Sequence, residues 1–150
     1  MAQTLVSLLV HIVFSTKHRR PLIDPEIEAE LYPYMAATVN NLDCRCLAIN
    51  GTENHVHLLI SFSKTRALSS VVGEIKKSSS KWIKTKGLTY RDFHWQDGYG
   101  AFSIGQSGVP ALKRYIARQK EHHARRTFEH EVLELLKRYQ VEYDEAYIWH

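Results

Sequence analysis

A chain of 150 residues suits one compact domain. Its 44% hydrophobic content supplies a core, its 24% charged content argues against disorder, and no apolar run approaches the roughly 20 residues of a membrane span. The net charge of +4 conceals an asymmetry: residues 64–126 hold 14 Lys and Arg against 4 Asp and Glu, leaving 6 basic and 12 acidic residues elsewhere. A basic middle suits a polyanion, although a solvated helical surface gives the same count.

Residues 4–15 read as a first strand, with His11 and Phe14 near its end. The segment is apolar but lacks a basic leader and a small-residue cleavage site, so the cytosol is the default expectation. Asp24-Pro25 signals a helix start, and Leu31, Tyr34, Met35, Thr38 and Val39 recur at helical spacing. Residues 44–49 read as a second strand. Asn50-Gly51 reads as the turn of a hairpin, whose second arm is ENHVHLLISF, residues 53–62. Leu68, Val71, Val72, Ile75, Ser79 and Trp82 mark a second helix with Lys76, Lys77, Lys81 and Lys84 on its other side. Gly87 stops it. A short strand follows near Trp95, then an Asp97-Gly98 turn and a strand from Tyr99 to Ile104. Ser107 and Pro110 open a third helix that runs to about Arg126. Thr127 is a candidate cap for a fourth, and the last ten residues read as a packed tail. The order βαββα, then a β segment and two helices, fits a ferredoxin-like (RRM-like) α+β sandwich: an antiparallel sheet with helices on one face, in a single domain over 1–150.

His55 and His57 open the second hairpin arm. On a strand they point to one face while Val56, Leu58 and Ile60 point to the other. The pair therefore lies on the open face of the sheet, about 6.5 to 7 Å apart along the strand, where both imidazoles can converge on one ion. Cys44 and Cys46 raise the alternative of a Cys2His2 zinc site. Cys44 falls roughly 10 Å along the sheet from His57, so buried, reduced thiols are the better reading. Glu53 is a candidate to orient a ligand or take a proton, beside its plain reading as an exposed turn carboxylate.

The third helix carries Tyr115 and Gln119 at i and i+4, on one face. Lys113, Arg114, Arg118 and Lys120 surround the tyrosine in sequence. That cationic field suits a phosphate and favours the phenolate; a tyrosine packed at the edge of the core is the bland alternative. His122 and His123 follow as further candidate ligands, and His11 reads as a strand residue near the site.

Four ordered segments, HIVFSTKHR, NHVHLLISF, WQDGYGAFSIG and YIARQKEHH, resemble those of the single-tyrosine HUH transposases of small bacterial insertion sequences, the insertion-sequence-200-like group. The resemblance covers most of the chain. It implies a late catalytic helix bearing Tyr115 as the nucleophile. It makes His55, His57 and Gln119 the ligands of Mg²⁺ or Mn²⁺, and single-stranded DNA with hairpin ends the substrate, cleaved and rejoined through a 5′-phosphotyrosine. Lys76, Lys77, Lys81, Lys84, Arg114 and Arg118 become candidate phosphate contacts, with Trp95 or Tyr99 as stacking residues. The resemblance also implies a homodimer, with Tyr115 of one chain serving the histidines of the other, in a cytoplasmic, nucleoid-associated setting; a monomer with Tyr115 in cis is the plain alternative. A domesticated nuclease acting on repeats shares every one of these residues. A non-catalytic ferredoxin-like module that binds nucleic acid is the alternative of another class; it calls for aromatic residues on the central strands, where this chain has histidines.

Overall fold

Two-residue alternation along the central strands sorts the apolar side chains onto two faces of one sheet. The computed structural model describes residues 2–150. It runs β1 (Leu9–Ser15), α1 (Pro25–Asn41), β2 (Arg45–Gly51), β3 (His55–Ser61), α2 (Leu68–Lys84), β4 (Gly100–Ile104), α3 (Val109–Ala117), α4 (Gln119–His123) and α5 (Phe128–Arg138). The sheet order is β2-β3-β1-β4, with every neighbouring pair antiparallel. This is the βαββαβ order expected of a ferredoxin-like sandwich, with three helices added after β4.

On one face Ile12, Phe14, Val56, Leu58 and Ile60 form the main core with Leu31 and Met35 of α1 and Val71, Val72 and Ile75 of α2. Asp24 caps α1 by accepting the Ile27 amide at 2.8 Å, and Pro25 supplies the favoured first helical position. The other face is not open, as the sequence pattern suggests. Leu9 and Leu59 pack against Val109 and Ile116 of α3. Val13 and Phe102 pack against Phe128, Val132, Leu135 and Leu136 of α5. Those strand positions are apolar too, so the second face demands a cover.

Local differences from the sequence reading follow from tertiary contacts. Residues 4–8 form no strand, and Leu5 and Val6 are exposed. Asn50 and Gly51 stay in β2, and the turn falls at 52–54, closed by the Thr52 amide donating to the His55 carbonyl at 3.0 Å. Asn50 is instead drawn to the end of α3, where its Nδ2 donates to the Ile116 carbonyl at 2.9 Å. A bulge between Cys46 and Ala48 pairs Cys46, not Cys44, with Ile60. Both cysteines are free and pack with the α1/α2 core, across the sheet from the histidines, as the hydrophobe reading requires. Residues 93–95 form only an isolated bridge, Trp95 with Thr16. The third helix does not run to Arg126. It breaks at Arg118, whose φ of −103° and ψ of 21° are not helical, so Gln119 begins α4.

Gly51 sits where a Cβ would lie 2.1 Å from the His55 carbonyl oxygen. Gly51→Ala therefore has to open the hairpin end that carries His55. We expect a loss of about 2 kcal/mol or more in urea unfolding; an unchanged midpoint would contradict this close approach.

Candidate metal centre

His55 and His57 keep their shared face, and burial sharpens their role: both are fully buried, with Gln119 and Glu131 equally inaccessible. Each histidine is fixed through its Nδ1. His55 Nδ1 meets Thr52 Oγ1 at 2.9 Å and Asn54 Oδ1 at 2.8 Å. Thr52 Oγ1 itself donates to Asn54 Oδ1, and Asn54 Nδ2 donates to the Arg19 carbonyl. Those two donations make both partners acceptors toward the ring, so Nδ1 carries the proton. Burial, then the neighbouring His57, hold the His55 pKa down at about 3, so the ring is neutral and its Nε2 has a free lone pair.

That lone pair faces Gln119 Oε1 at 3.0 Å, while Gln119 Nε2 donates to Glu131 Oε2 at 3.2 Å. Turning the amide over only moves the problem, because its oxygen would then face the carboxylate. Either way one acceptor confronts another in a buried space, which is costly. A divalent cation resolves the conflict, since imidazole nitrogen and amide oxygen are both donors to one. The chemistry of the donor set thus fits a metal.

His57 Nδ1 lies 2.7 Å from His11 Nε2, and its Nε2 lies 2.9 Å from Glu131 Oε1. His11 is buried beside the pair on β1, near the site as expected. Burial and His57 hold its pKa at about 3. Its neutral ring can donate to or accept from His57, so His57 can give up its Nε2 proton without losing the contact.

Glu131 of α5 is the residue that sequence spacing does not single out. Its Oε1 is 2.9 Å from His57 Nε2, 3.0 Å from His123 Nε2 and 3.6 Å from His55 Nε2. Burial works to raise its pKa, but hydrogen bonds from His123, His57 and Tyr115 outweigh it and hold the carboxyl far below its ordinary range. One ligating atom from each of His55, His57, His123 and Glu131 lies within 4.8 Å of the other three. The signal available in sequence was a single Glu at the position where α5's apolar stripe passes over the histidines.

Tyr115 comes to this cluster from the same chain. Its hydroxyl donates a short hydrogen bond to Glu131 Oε2, and its ring centroid is 5.9 Å from that of His57. The expected field of four cations is absent from the hydroxyl. Lys113 and Arg114 are exposed, because residues two and one positions away on a helix point elsewhere, and Arg118 and Lys120 are exposed at and beyond the break that ends α3. Lys120 pairs with Glu28 at 2.6 Å. Burial and the Glu131 carboxylate raise the phenol's pKa instead of lowering it, opposed only by Arg126, whose Nη2 donates to the hydroxyl at 3.2 Å.

Lys76, Lys77, Lys81 and Lys84 lie on α2, on the far side of the sheet from the histidines. Lys76 is committed to structure: its Nζ donates to the Gln96 and Gly98 carbonyls at 2.6 and 2.7 Å. Trp95 is buried, its Nε1 donating to Ser79 Oγ at 2.9 Å, whereas Tyr99 is exposed. Glu53 is an exposed turn carboxylate, and Thr52 and Asn54 do the orienting instead. His122 packs at a tilt against Tyr115, with ring centroids 4.7 Å apart. Two clefts flank the cluster. One of about 300 Å³ reaches Tyr115, His11 and Glu131; another of about 630 Å³ reaches His123 and Asn54; Arg126 lines both.

The fold is one seen in solved transposase structures. A candidate transposase from Deinococcus radiodurans R1 matches with a TM-score of 0.63 at 17% identity, over 79% of this chain and 95% of that one. A REP-associated tyrosine transposase, solved bound to a REP hairpin, matches with a TM-score of 0.61 at 16% identity, over 82% of this chain and 73% of that one. Residues 4–119 match the family model described as transposase, IS200 like, and the chain belongs to that family. No curated protein matches it. Among the described residues no helix is long and apolar enough to cross a membrane.

His11 and His55 bind a proton near pH 6.5 when unfolded and only near 3 when folded. Between those values the unfolded chain holds more protons. Each residue therefore removes up to about 1.4 kcal/mol of stability per pH unit as pH falls through that window. In chelator-treated protein we expect two of the nine imidazoles to stay neutral by NMR from pH 8 to 5, with a melting temperature that drops below pH 6.5. Ordinary titration of all nine would contradict this.

Proposed function

We propose that the protein is a metal-dependent DNA transposase or endonuclease, one HUH domain over residues 1–150. It cleaves and rejoins single-stranded DNA at element ends. The observation that carries this reading is the meeting, within one chain, of a helical tyrosine with two strand histidines and Gln119 in a dry cluster. His55, His57 and Gln119 hold Mg²⁺ or Mn²⁺, with second contacts from Thr52, Asn54 and His11 fixing the rings. The ion supplies polarisation of the scissile phosphate and stabilisation of the departing 3′-oxygen.

Tyr115 is the nucleophile. Its oxygen bonds to phosphorus as the bond to the 3′-oxygen breaks; the phenol's proton passes to Glu131 and the departing 3′-oxygen takes up one from water, giving a 5′-phosphotyrosine and a 3′-hydroxyl. The diester's energy stays in the new link, so rejoining is the same step reversed. The phenol starts protonated, with its hydrogen directed at Glu131, while Arg126 faces the phosphate's charge from the junction of the two clefts. Arg114 and Arg118, exposed on the same layer, extend a track for the backbone, and Lys77 and Lys81 of α2 give a second basic surface. The likeness to a transposase solved with a REP hairpin supports a hairpin partner, and equally favours a domesticated, repeat-associated nuclease. The fully buried histidines speak against a purely binding module, which presents exposed aromatic residues on those strands. The setting is the cytoplasm, at the nucleoid.

A homodimer remains part of this reading, as two strand ends have to be processed together. Within one chain Tyr115 stands at that chain's own histidines, which supports cis sites in place of the trans arrangement that the resemblance implies.

Incubation with single-stranded DNA from the gene's own flanks and Mg²⁺ should give a covalent adduct. Tyr115→Phe should fold and give none; an adduct at wild-type yield would move the nucleophile to another tyrosine. His57→Ala and Gln119→Ala should lose metal-dependent cleavage while keeping most DNA affinity. Their retention of full cleavage would remove both from the ligand set. Mixed Tyr115→Phe and His57→Ala chains, with subunit exchange confirmed by mass, should stay inactive; recovered cleavage would restore the trans arrangement.

A further inference from the structure

Residues 4–119 carry the family match, yet two groups from beyond it, His123 at the end of α4 and Glu131 of α5, enter the buried cluster. Glu131 Oε1 occupies the point on which three Nε2 atoms converge, at 2.9, 3.0 and 3.6 Å. Its other oxygen accepts from Tyr115 and from Gln119. These ring nitrogens are hydrogen-bond donors to the carboxylate only while they carry protons, and the same atoms, all within 4.8 Å of one another, are the ones that neutral imidazoles offer to a cation. Nor is α5 placed by Glu131: Phe128, Val132, Leu135 and Leu136 dock the helix on Val13 and Phe102. The apolar stripe sets the helix, and the helix delivers the carboxylate.

We propose that Glu131 and His123 are metal donors of this site, and that Glu131 also positions Tyr115 through its second oxygen. The centre is then three imidazoles, one carboxylate and one amide oxygen, not the two imidazoles and amide that residues 4–119 supply. Imidazole-rich sites suit transition ions, whereas Mg²⁺ favours oxygen and water. This set therefore selects Mn²⁺ over Mg²⁺. It also ties the nucleophile to the metal through one carboxylate, so the ion and Tyr115 share a positional constraint. The inference rests on the metal reading above and extends it to the chain's last two helices.

The test is Mn²⁺ and Mg²⁺ binding to the full chain by calorimetry, without DNA. We expect Glu131→Gln and His123→Ala each to weaken Mn²⁺ binding by roughly 10- to 100-fold. His123→Ala should also reduce the preference for Mn²⁺ over Mg²⁺, a change that a purely structural role would not produce. Glu142→Gln, exposed in the tail after α5, serves as control and should bind as wild type. Near-UV circular dichroism checks folding. If Glu131→Gln misfolds, His123→Ala decides, because His123 lies at the margin of the cluster with its side chain 10% exposed. Unchanged or tighter Mn²⁺ binding in a folded Glu131→Gln, or in His123→Ala where it decides, overturns the proposal. If His57→Ala abolishes binding in the same series, the two-histidine reading survives that result. Absence of Mn²⁺ binding by the wild type would overturn both.

Discussion

A negative charge buried in the middle of the protein is the constraint on which the site depends. An isolated carboxylate in a dry interior is costly, and it persists only where donors surround it. Glu131 has such a shell: His57 and His123 on one oxygen, Tyr115 and Gln119 on the other. His57 comes from β3, Tyr115 from α3, and Gln119 and His123 from the two ends of α4, so the carboxylate of α5 joins four elements at one point. The same shell explains the acid–base state of Tyr115. A phenol that donates to a carboxylate is held protonated, so Tyr115 has an orientation before it has a charge.

The sheet sets the precision of this arrangement. β3 lies between β1 and β2, and its register brings His57 opposite Val13 and His55 opposite Ser15. Side chains on an inner strand cannot drift along it, since a one-residue slip would turn both histidines into the α1/α2 core. His11 lies on the same face of β1, which is why a third imidazole reaches His57 Nδ1 without any loop to carry it. By contrast, Thr52 and Asn54 orient His55 from the hairpin turn, and their reach depends on the tight end that Gly51 permits.

How far the sequence reveals this depends on the range of the interactions. The helices α1 and α2, the strands β2 and β3 and the histidine pair are local patterns, and they appear where period and capping place them. Tyr115 and Gln119 both reach one oxygen of Glu131, although the helix between them breaks at Arg118. What spacing cannot show is which residues a distant helix brings over a sheet. Glu131 lies 74 positions from His57, and its place within the apolar stripe of α5 marks it as buried without showing what it meets. The expected phenolate fails for a related reason. Counting charges along the chain puts four cations beside Tyr115, but direction on the helix sends them to solvent and leaves Arg126, eleven residues on, as the one that touches it. Lys76 shows the converse: its apparent place on a basic face gives way to two backbone carbonyls of a nearby turn.

Closure of the second face changes what the electrostatics of the site can achieve. On an open sheet, the histidines and tyrosine would be in contact with water, and charges a few ångströms apart would interact by about 1 kcal/mol. Beneath α3, α4 and α5 the same distances act in a lower dielectric, where alignment of donors and charges counts for several times as much. The cover has openings at its edges, where the two clefts reach Tyr115 on one side and His123 on the other, with Arg126 at their boundary. Its guanidinium is tied to Glu134 as well as to the Tyr115 hydroxyl, which holds a positive charge at the mouth of a site whose interior is negative. Arg126 thus sets a cation at the boundary of both clefts, in the cleft that Glu131 also lines, and offsets part of the negative charge that the carboxylate brings to that wall.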